Sequence, residues 1–170
     1  MGGGLTLPAE SQRILKSGVD LEVCAPVRGV LAPMEDIPDP VFSSGIMGTA
    51  AGIWPASGCV CAPATGEITI MSPVMPHAIT IKTSAGPIIM VHVGVGTVDM
   101  HGAGFRLLRA RGDNVQAGDP LLEFDIGRVH AANKCEIVIV IVTNSERYGR
   151  LVLAEPGLVE PNDPVITVYV

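Results

Sequence analysis

The segment Cys24-Ala25-Pro26-Val27-Arg28-Gly29-Val30-Leu31 returns 37 positions later as Cys61-Ala62-Pro63-Ala64-Thr65-Gly66-Glu67-Ile68. A second echo, Ala117-Gly118-Asp119-Pro120-Leu121-Leu122, returns 44 positions on as Pro161-Asn162-Asp163-Pro164-Val165-Ile166. In each, a Gly- or Pro-marked turn feeds a short apolar strand. Repeated strand–turn units imply a duplicated β architecture in which two related halves close one sandwich or barrel. Twenty glycines and 14 prolines leave little room for uninterrupted helices. The expected fold is therefore all-β: a duplicated sandwich or barrel of short antiparallel strands with one or two short helices. Strands are expected at Glu67–Met71, His77–Lys82, Ile88–Val93, Pro120–Phe124, Glu136–Thr143, Leu151–Leu153 and Pro164–Val170, and brief helices at Gly104–Arg111 and Ile126–Asn133.

A chain of 170 residues makes one domain with a substantial core. Residues 1–20 read as a flexible leader, because Gly2 to Gly4 hold no structure and Ala9 to Lys16 support at most a marginal helix. The folded domain is expected over 21–170, and Met1 with the leader favours a free-standing protein. A net charge of −6 argues against nucleic acid, which requires a basic footprint. Mean hydropathy is high at +0.44, yet the best apolar run, Ile137 to Val142, falls far short of the ~20 residues of a spanning helix. No charged-then-apolar leader opens the chain, so no secretory signal is read. The opening Met1-Gly-Gly-Gly-Leu-Thr6 matches a loose myristoylation pattern and is taken as chance. Cys24, Cys59, Cys61 and Cys135 are expected as buried free thiols; Cys59-Val60-Cys61 offers zinc two thiolates without a second ligand pair at the right spacing.

The chemistry concentrates at two histidines. His77 and His92 each lie on an apolar strand, with Thr83-Ser84-Ala85-Gly86-Pro87 between them as turn chemistry. A turn symmetric about Ser84 and Ala85 gives cross-strand pairs whose numbers sum to 169, which sets His77 opposite His92. Directly opposed residues share a face with Cβ atoms about 5 Å apart, close enough to hold one metal or one phosphoryl group between the rings. Ser-Ala is a poor two-residue hairpin turn, so this register is the weak step. Val93-Gly94-Val95-Gly96-Thr97 follows His92 at once, and its glycines let backbone N–H groups approach an anionic oxygen. A neutral imidazole is also a competent nucleophile toward phosphorus near neutral pH. Against this stands the plain alternative of a core histidine bonded to backbone.

The string His92-Val-Gly-Val-Gly-Thr-Val98, followed by Gly102-Ala-Gly-Phe105, resembles the signature of glucose-type enzyme IIA, the phosphocarriers of the bacterial sugar phosphotransferase system. Ala25-Pro-Val-Arg-Gly29, Ile37-Pro-Asp-Pro-Val-Phe42, Ala62-Pro-Ala-Thr-Gly66 and Gly118-Asp-Pro-Leu-Leu-Glu-Phe-Asp125 fall in the same order, so the resemblance spans roughly 21–170. It implies a cytoplasmic carrier. His92 would accept a phosphoryl group from the small carrier HPr and pass it to the IIB domain of a sugar permease. His77 would stabilise the transferred group, with Gly94, Gly96 and Thr97 in support. It further implies a docking surface drawn from Asp39, Val41, Phe42, Ile46, Met47, Met90 and Val98, each apolar member of which is equally readable as core. No cofactor is implied, and a monomer is expected, because a carrier must release both partners quickly.

Four departures mark the chain as divergent. Gly96 stands where the family commonly has Asp, which removes a rim acid and would slow association with a basic partner. Met75 replaces a Thr that would orient His77, one extra residue lies between Gly66 and His77, and His101 stands in place of Lys as a surface residue. A second class of function therefore stays open: a regulatory protein that uses the same surface to control permeases or kinases with little transfer. A zinc hydrolase of lysostaphin type, which has a distantly similar duplicated fold, needs a His-x-His pair that this chain lacks. Zinc shared by His77 and His92 would need a further ligand from a bound partner.

Overall fold

The computed structural model describes residues 18–169; positions 1–17 of the expected flexible leader lie outside them. Fourteen strands run in chain order: β1 (Val19–Cys24), β2 (Gly29–Ala32), β3 (Thr49–Pro55), β4 (Cys59–Cys61), β5 (Gly66–Ser72), β6 (Met75–Lys82), β7 (Ile88–Val95), β8 (Phe105–Leu107), β9 (Asn114–Val115), β10 (Pro120–Phe124), β11 (Cys135–Val142), β12 (Arg150–Leu153), β13 (Gly157–Val159) and β14 (Pro164–Tyr169). Two short helices join them, α1 (Pro40–Ser43) and α2 (Ile126–Ala131). Strand β1 opens at Val19, ahead of the Leu21 at which the domain was expected to begin. The helix expected at Gly104–Arg111 is instead β8, because Phe105 pairs with Phe124 across the sheet and the two rings stack at 6.0 Å. Cross-strand aromatic contact outweighs a weak local helical pattern there.

All strand pairs are antiparallel. An eight-stranded sheet has the order β13-β2-β3-β11-β7-β6-β5-β9, and two three-stranded sheets have the orders β1-β14-β12 and β4-β10-β8. The large sheet is palindromic about β11 and β7. Strands β1–β3 correspond to β4–β6, and β7–β10 correspond to β11–β14, so the 37- and 44-residue spacings mark two nested duplications. Hydrogen bonds repeat the symmetry. Cys24 N–H donates to Pro63 O at 2.8 Å and Cys61 N–H to Pro26 O at 2.6 Å; Ala25 N–H donates to Asp163 O and Ala62 N–H to Asp119 O, both at 2.8 Å. Asp119 and Asp163 each accept from the backbone three residues earlier, Gln116 N–H and Glu160 N–H.

The main core lies between the sheets and includes Leu31, Ile53, Ile68, Ile79, Ile81, Leu121, Leu122 and Ile166. Strand β11 explains the longest apolar run. Its Val138, Val140 and Val142 face that core, while Ile137, Ile139 and Ile141 belong to a second cluster on the opposite face with Ile37, Phe42 and Ala50. A central strand covered on both sides needs no polar alternation. The second cluster is roofed by the 33–48 segment, which brings Phe42 over the sheet. That segment fits tightly: a Cβ on Gly52 would lie 2.8 Å from Ile37 Cγ1 and 2.9 Å from Ile137 Cδ1. Gly52→Ala is therefore expected to destabilise the fold by about 1–3 kcal/mol in a urea melt, as overpacked cores do.

Candidate functional site

The hairpin that carries the two histidines departs from the expected register. Its pairs are Lys82 with Ile88, Thr80 with Met90 and Ala78 with His92, which sum to 170 and centre the turn on Ala85. The loop is thus five residues, closed by Thr83 N–H to Pro87 O at 3.2 Å and by Thr83 Oγ1 donating to the same oxygen at 2.8 Å. Gly86 takes φ +113°, which the longer loop requires and a two-residue Ser-Ala turn could not supply. Ala78, not His77, stands opposite His92. The rings nonetheless meet, with centroids 5.2 Å apart and planes at 79°. They do so because β6 loses its alternation at its start: Pro76 and His77 are both buried, and the ladder to β7 ends at Ala78. Strand β6 is also irregular against β5, with register shifts between Ile68 and Ser72. Bulges of that kind absorb an extra residue.

His92 is half-buried between His77 and Phe42, whose ring centroid is 4.9 Å away. Its Nδ1 lies 2.8 Å from the carbonyl oxygen of Gly94. A carbonyl only accepts, so Nδ1 carries the proton and Nε2 keeps its lone pair. Gly94 reaches this position with φ +81°, and a Cβ there would fall 2.3 Å from Thr97 Cγ2 and 2.7 Å from Cys135 O. Thr97 is buried and donates its hydroxyl to Val93 O at 2.5 Å, fastening the turn that presents the Gly94 carbonyl. Gly96, at φ +77°, lies beneath Lys134, whose Cδ would be 3.1 Å from a Cβ at that position. The Lys134 ammonium in turn holds Asp99 at 2.9 Å. This bond, with the charge behind it, keeps the Asp99 carboxyl below its ordinary range.

Burial pushes the His92 imidazole down to about 4, and the neighbouring His77 adds to the shift; the Gly94 carbonyl and Asp39 oppose it. Burial also lowers His77. His92 is therefore neutral throughout the range in which cells operate. The folded protein binds a proton on this ring less readily than the unfolded chain between pH 6.5 and about 4, so His92 contributes stability that is whole above pH 6.5 and lost as pH falls through that window. An NMR titration of the ring protons should place the His92 midpoint near 4, well below that of a free imidazole.

The remaining expected residues divide by exposure. Val41 (45 %), Ile46 (82 %) and Val98 (47 %) are open to solvent. Phe42 is buried, and Met47 and Met90 pack against the second cluster. Phe42 alone of these three is buried, with its ring against His92; Met47 and Met90 are half-buried. Asp39 caps α1 by accepting from Val41 N–H at 3.0 Å. His101 is exposed and closes the Thr97–Met100 turn with φ +49°. Val74 (75 % exposed) and Met75 (52 %), neither of them in the docking set expected from the sequence, stand at the tip of the β5–β6 hairpin. That tip leans on the loop after Val98, where a Cβ on Gly102 would sit 3.4 Å from Pro73 O. Two bare apolar residues in a tight turn were the available signal. Among the described residues no group of three or more His, Cys, Asp or Glu is placed to hold a metal, and the four cysteines are free.

Comparison with known proteins identifies the family. Residues 21–148 match the family model described as phosphoenolpyruvate-dependent sugar phosphotransferase system, EIIA 1. The chain belongs to that family. It is 35% identical over 150 residues to the PTS system glucose-specific EIIA component of Staphylococcus aureus, covering 88% of this chain and 90% of that one. It is 32% identical over 154 residues to the glucose-specific EIIBCA component of Corynebacterium glutamicum, a match that spans 91% of this chain and 23% of that longer protein. Among solved structures it resembles glucose permease IIA from Mycoplasma capricolum, with a TM-score of 0.78 at 29% identity over 86% of this chain and 94% of that one. As a member of this EIIA family the chain is a component of the sugar phosphotransferase system. No helix among the described residues is long and apolar enough to cross a membrane.

Proposed function

We propose that the protein is a cytoplasmic histidine phosphocarrier that takes a phosphoryl group from phospho-HPr on His92 and gives it to the IIB domain of a sugar permease. The observation that carries this reading is the Nδ1–Gly94 hydrogen bond at 2.8 Å, which leaves the Nε2 lone pair of a neutral ring beside a second imidazole. Nε2 attacks phosphorus in line, a new N–P bond forms, and the N–P bond to the donor histidine breaks with its electron pair returning to that ring. No proton leaves His92, because Nδ1–H stays on Gly94 O. Such transfer is mostly positioning and charge stabilisation, and a ring N–H of His77 supplies a donor for the phosphoryl oxygens. Val41, Ile46, Val74, Met75 and Val98 form the apolar contact around the pair, with Asp39 at the rim. Onward transfer is the reverse attack by the acceptor side chain, which restores neutral His92.

Gly96 in place of the family acid removes one rim charge and Lys134 offsets that of Asp99, which keeps the regulatory reading in view. Incubation with phosphoenolpyruvate, enzyme I and HPr separates the two. An acid-labile, base-stable label on the wild-type protein is expected; no label, with HPr competent toward another acceptor, would sink the carrier reading in favour of regulatory binding.

A further inference from the structure

Cys59 and Cys61 take no part in the phosphoryl site. They lie on β4, in the β4-β10-β8 sheet, whereas His77 and His92 lie in the eight-stranded sheet. Val60 between them is wholly buried in the main core. Side chains alternate along a strand, so both thiols project from the opposite face of β4, side by side. Cys59 is half-buried and reachable from solvent, while Cys61 is buried at 8 % exposure. Both are free thiols. Glu123, directly across from Cys59, is held by Arg106 at 2.7 Å. Pro120, across from Cys61, carries no polar side-chain atom. The fold does not require the second thiol. Glu22-Val23-Cys24 on β1 is the symmetry mate of Cys59-Val60-Cys61, 37 positions earlier, and there a carboxylate stands in place of Cys59.

Alternate residues of a strand have Cα atoms ~6.6 Å apart, near the long limit for a relaxed disulfide. Burial, the adjacent Cys59 and the Asp119 carboxylate all hold the proton on Cys61, and a protonated thiol reacts slowly with peroxides. The same spacing suits an ion set between the two sulfurs. They then stand ~4.6 Å apart, at ~2.3 Å for each metal–sulfur bond. Zinc takes four ligands, and among the described residues no third His, Cys, Asp or Glu joins the pair. A soft monovalent ion is satisfied by two thiolates in line, and thiolates select Cu(I). We propose that Cys59 and Cys61 form a two-coordinate site for Cu(I). Binding forms two Cu–S bonds and breaks two S–H bonds. The copper stays Cu(I), both protons pass to solvent, and the bound unit carries one negative charge. The site is separate from the phosphocarrier reading and stands whether or not His92 carries phosphate.

The test is a titration of the whole protein under argon with Cu(I) held by bicinchoninate, whose colour fades as the protein takes the ion. The expected result is one Cu(I) per chain, with X-ray absorption showing two sulfur neighbours and no nitrogen. Cys59→Ser should weaken binding by at least about a hundredfold, because a ligand is lost outright. Unchanged circular dichroism of that variant separates the loss from unfolding. Cys24→Ser combined with Cys135→Ser should leave affinity and stoichiometry as they are. A wild-type protein that leaves the colour unchanged overturns the proposal. So does a Cys59→Ser protein that binds as tightly as the wild type. Loss of the ion in the Cys24→Ser, Cys135→Ser protein would overturn it equally, by placing copper on those thiols.

Discussion

His92→Ala is expected to accept no phosphate from phospho-HPr, a loss of at least about a thousandfold in labelling rate. The substitution removes the nucleophilic Nε2 itself, and nothing nearby replaces it. His77 is buried, lacks the Gly94 carbonyl that fixes the His92 tautomer, and stands across from no backbone acceptor among the described hydrogen bonds. His92→Gln is the useful companion. It keeps a polar group of similar reach that can donate to Gly94 O, so it isolates loss of the nucleophile from loss of packing against Phe42. Both variants should fold, because His92 projects from β7 onto the roofed outer face and the β7–β11 ladder does not depend on its side chain. Label on His92→Ala comparable with wild type would place the acceptor elsewhere.

Removing His77 should separate acceptance from delivery. His77→Ala is expected to take phosphate at a rate within about tenfold of wild type, and to pass it to IIB some 10²–10³-fold more slowly. That range is typical when one donor to a developing anionic charge is lost. The ring is a buried polar group whose burial has a cost unless it is used, and its one evident use is toward the group bound on His92. His77→Gln should recover part of the delivery rate, since an amide N–H can still donate, and a merely structural role would not show that pattern. The His92 midpoint offers a second readout. His77 is one of the two causes that lower it, so His77→Ala should move the midpoint upward. Equal slowing of acceptance and delivery, with no recovery by glutamine, would remove His77 from the transfer chemistry.

Much of this was legible in the chain. The 37- and 44-residue echoes carried the duplication, because a repeated turn-and-strand unit builds the same local structure wherever it occurs. Alternation and β-branched runs located β5, β7, β10, β11, β12 and β14 to within a residue or two. Strand β3, Thr-Ala-Ala-Gly-Ile-Trp-Pro, went unnoticed, since its small residues carry little strand signal. They are small because Ile37 and the roof segment lie against them, a contact with no trace in local sequence. Of the docking residues, composition could not separate exposed Val41 and Ile46 from buried Phe42, all apolar and close together. Val41 and Phe42 differ in which side of a four-residue helix meets the sheet, and Ile46 lies in the turn beyond it.

The histidine pair shows the division most clearly. Sequence alone determined that two imidazoles would share one hairpin and that a glycine-rich turn would follow the second, because residue type and spacing are local properties. Tertiary structure decided how they meet. The five-residue loop moved the register by one, which by strict alternation would have sent the rings to opposite faces. The break in β6 at Pro76-His77 brought them back to 5.2 Å. Burial beneath Phe42 and the Gly94 carbonyl then set the charge and tautomer of His92. Those quantities depend on which groups surround the ring in space, and a chain folds its neighbours around it only once all the strands are in place.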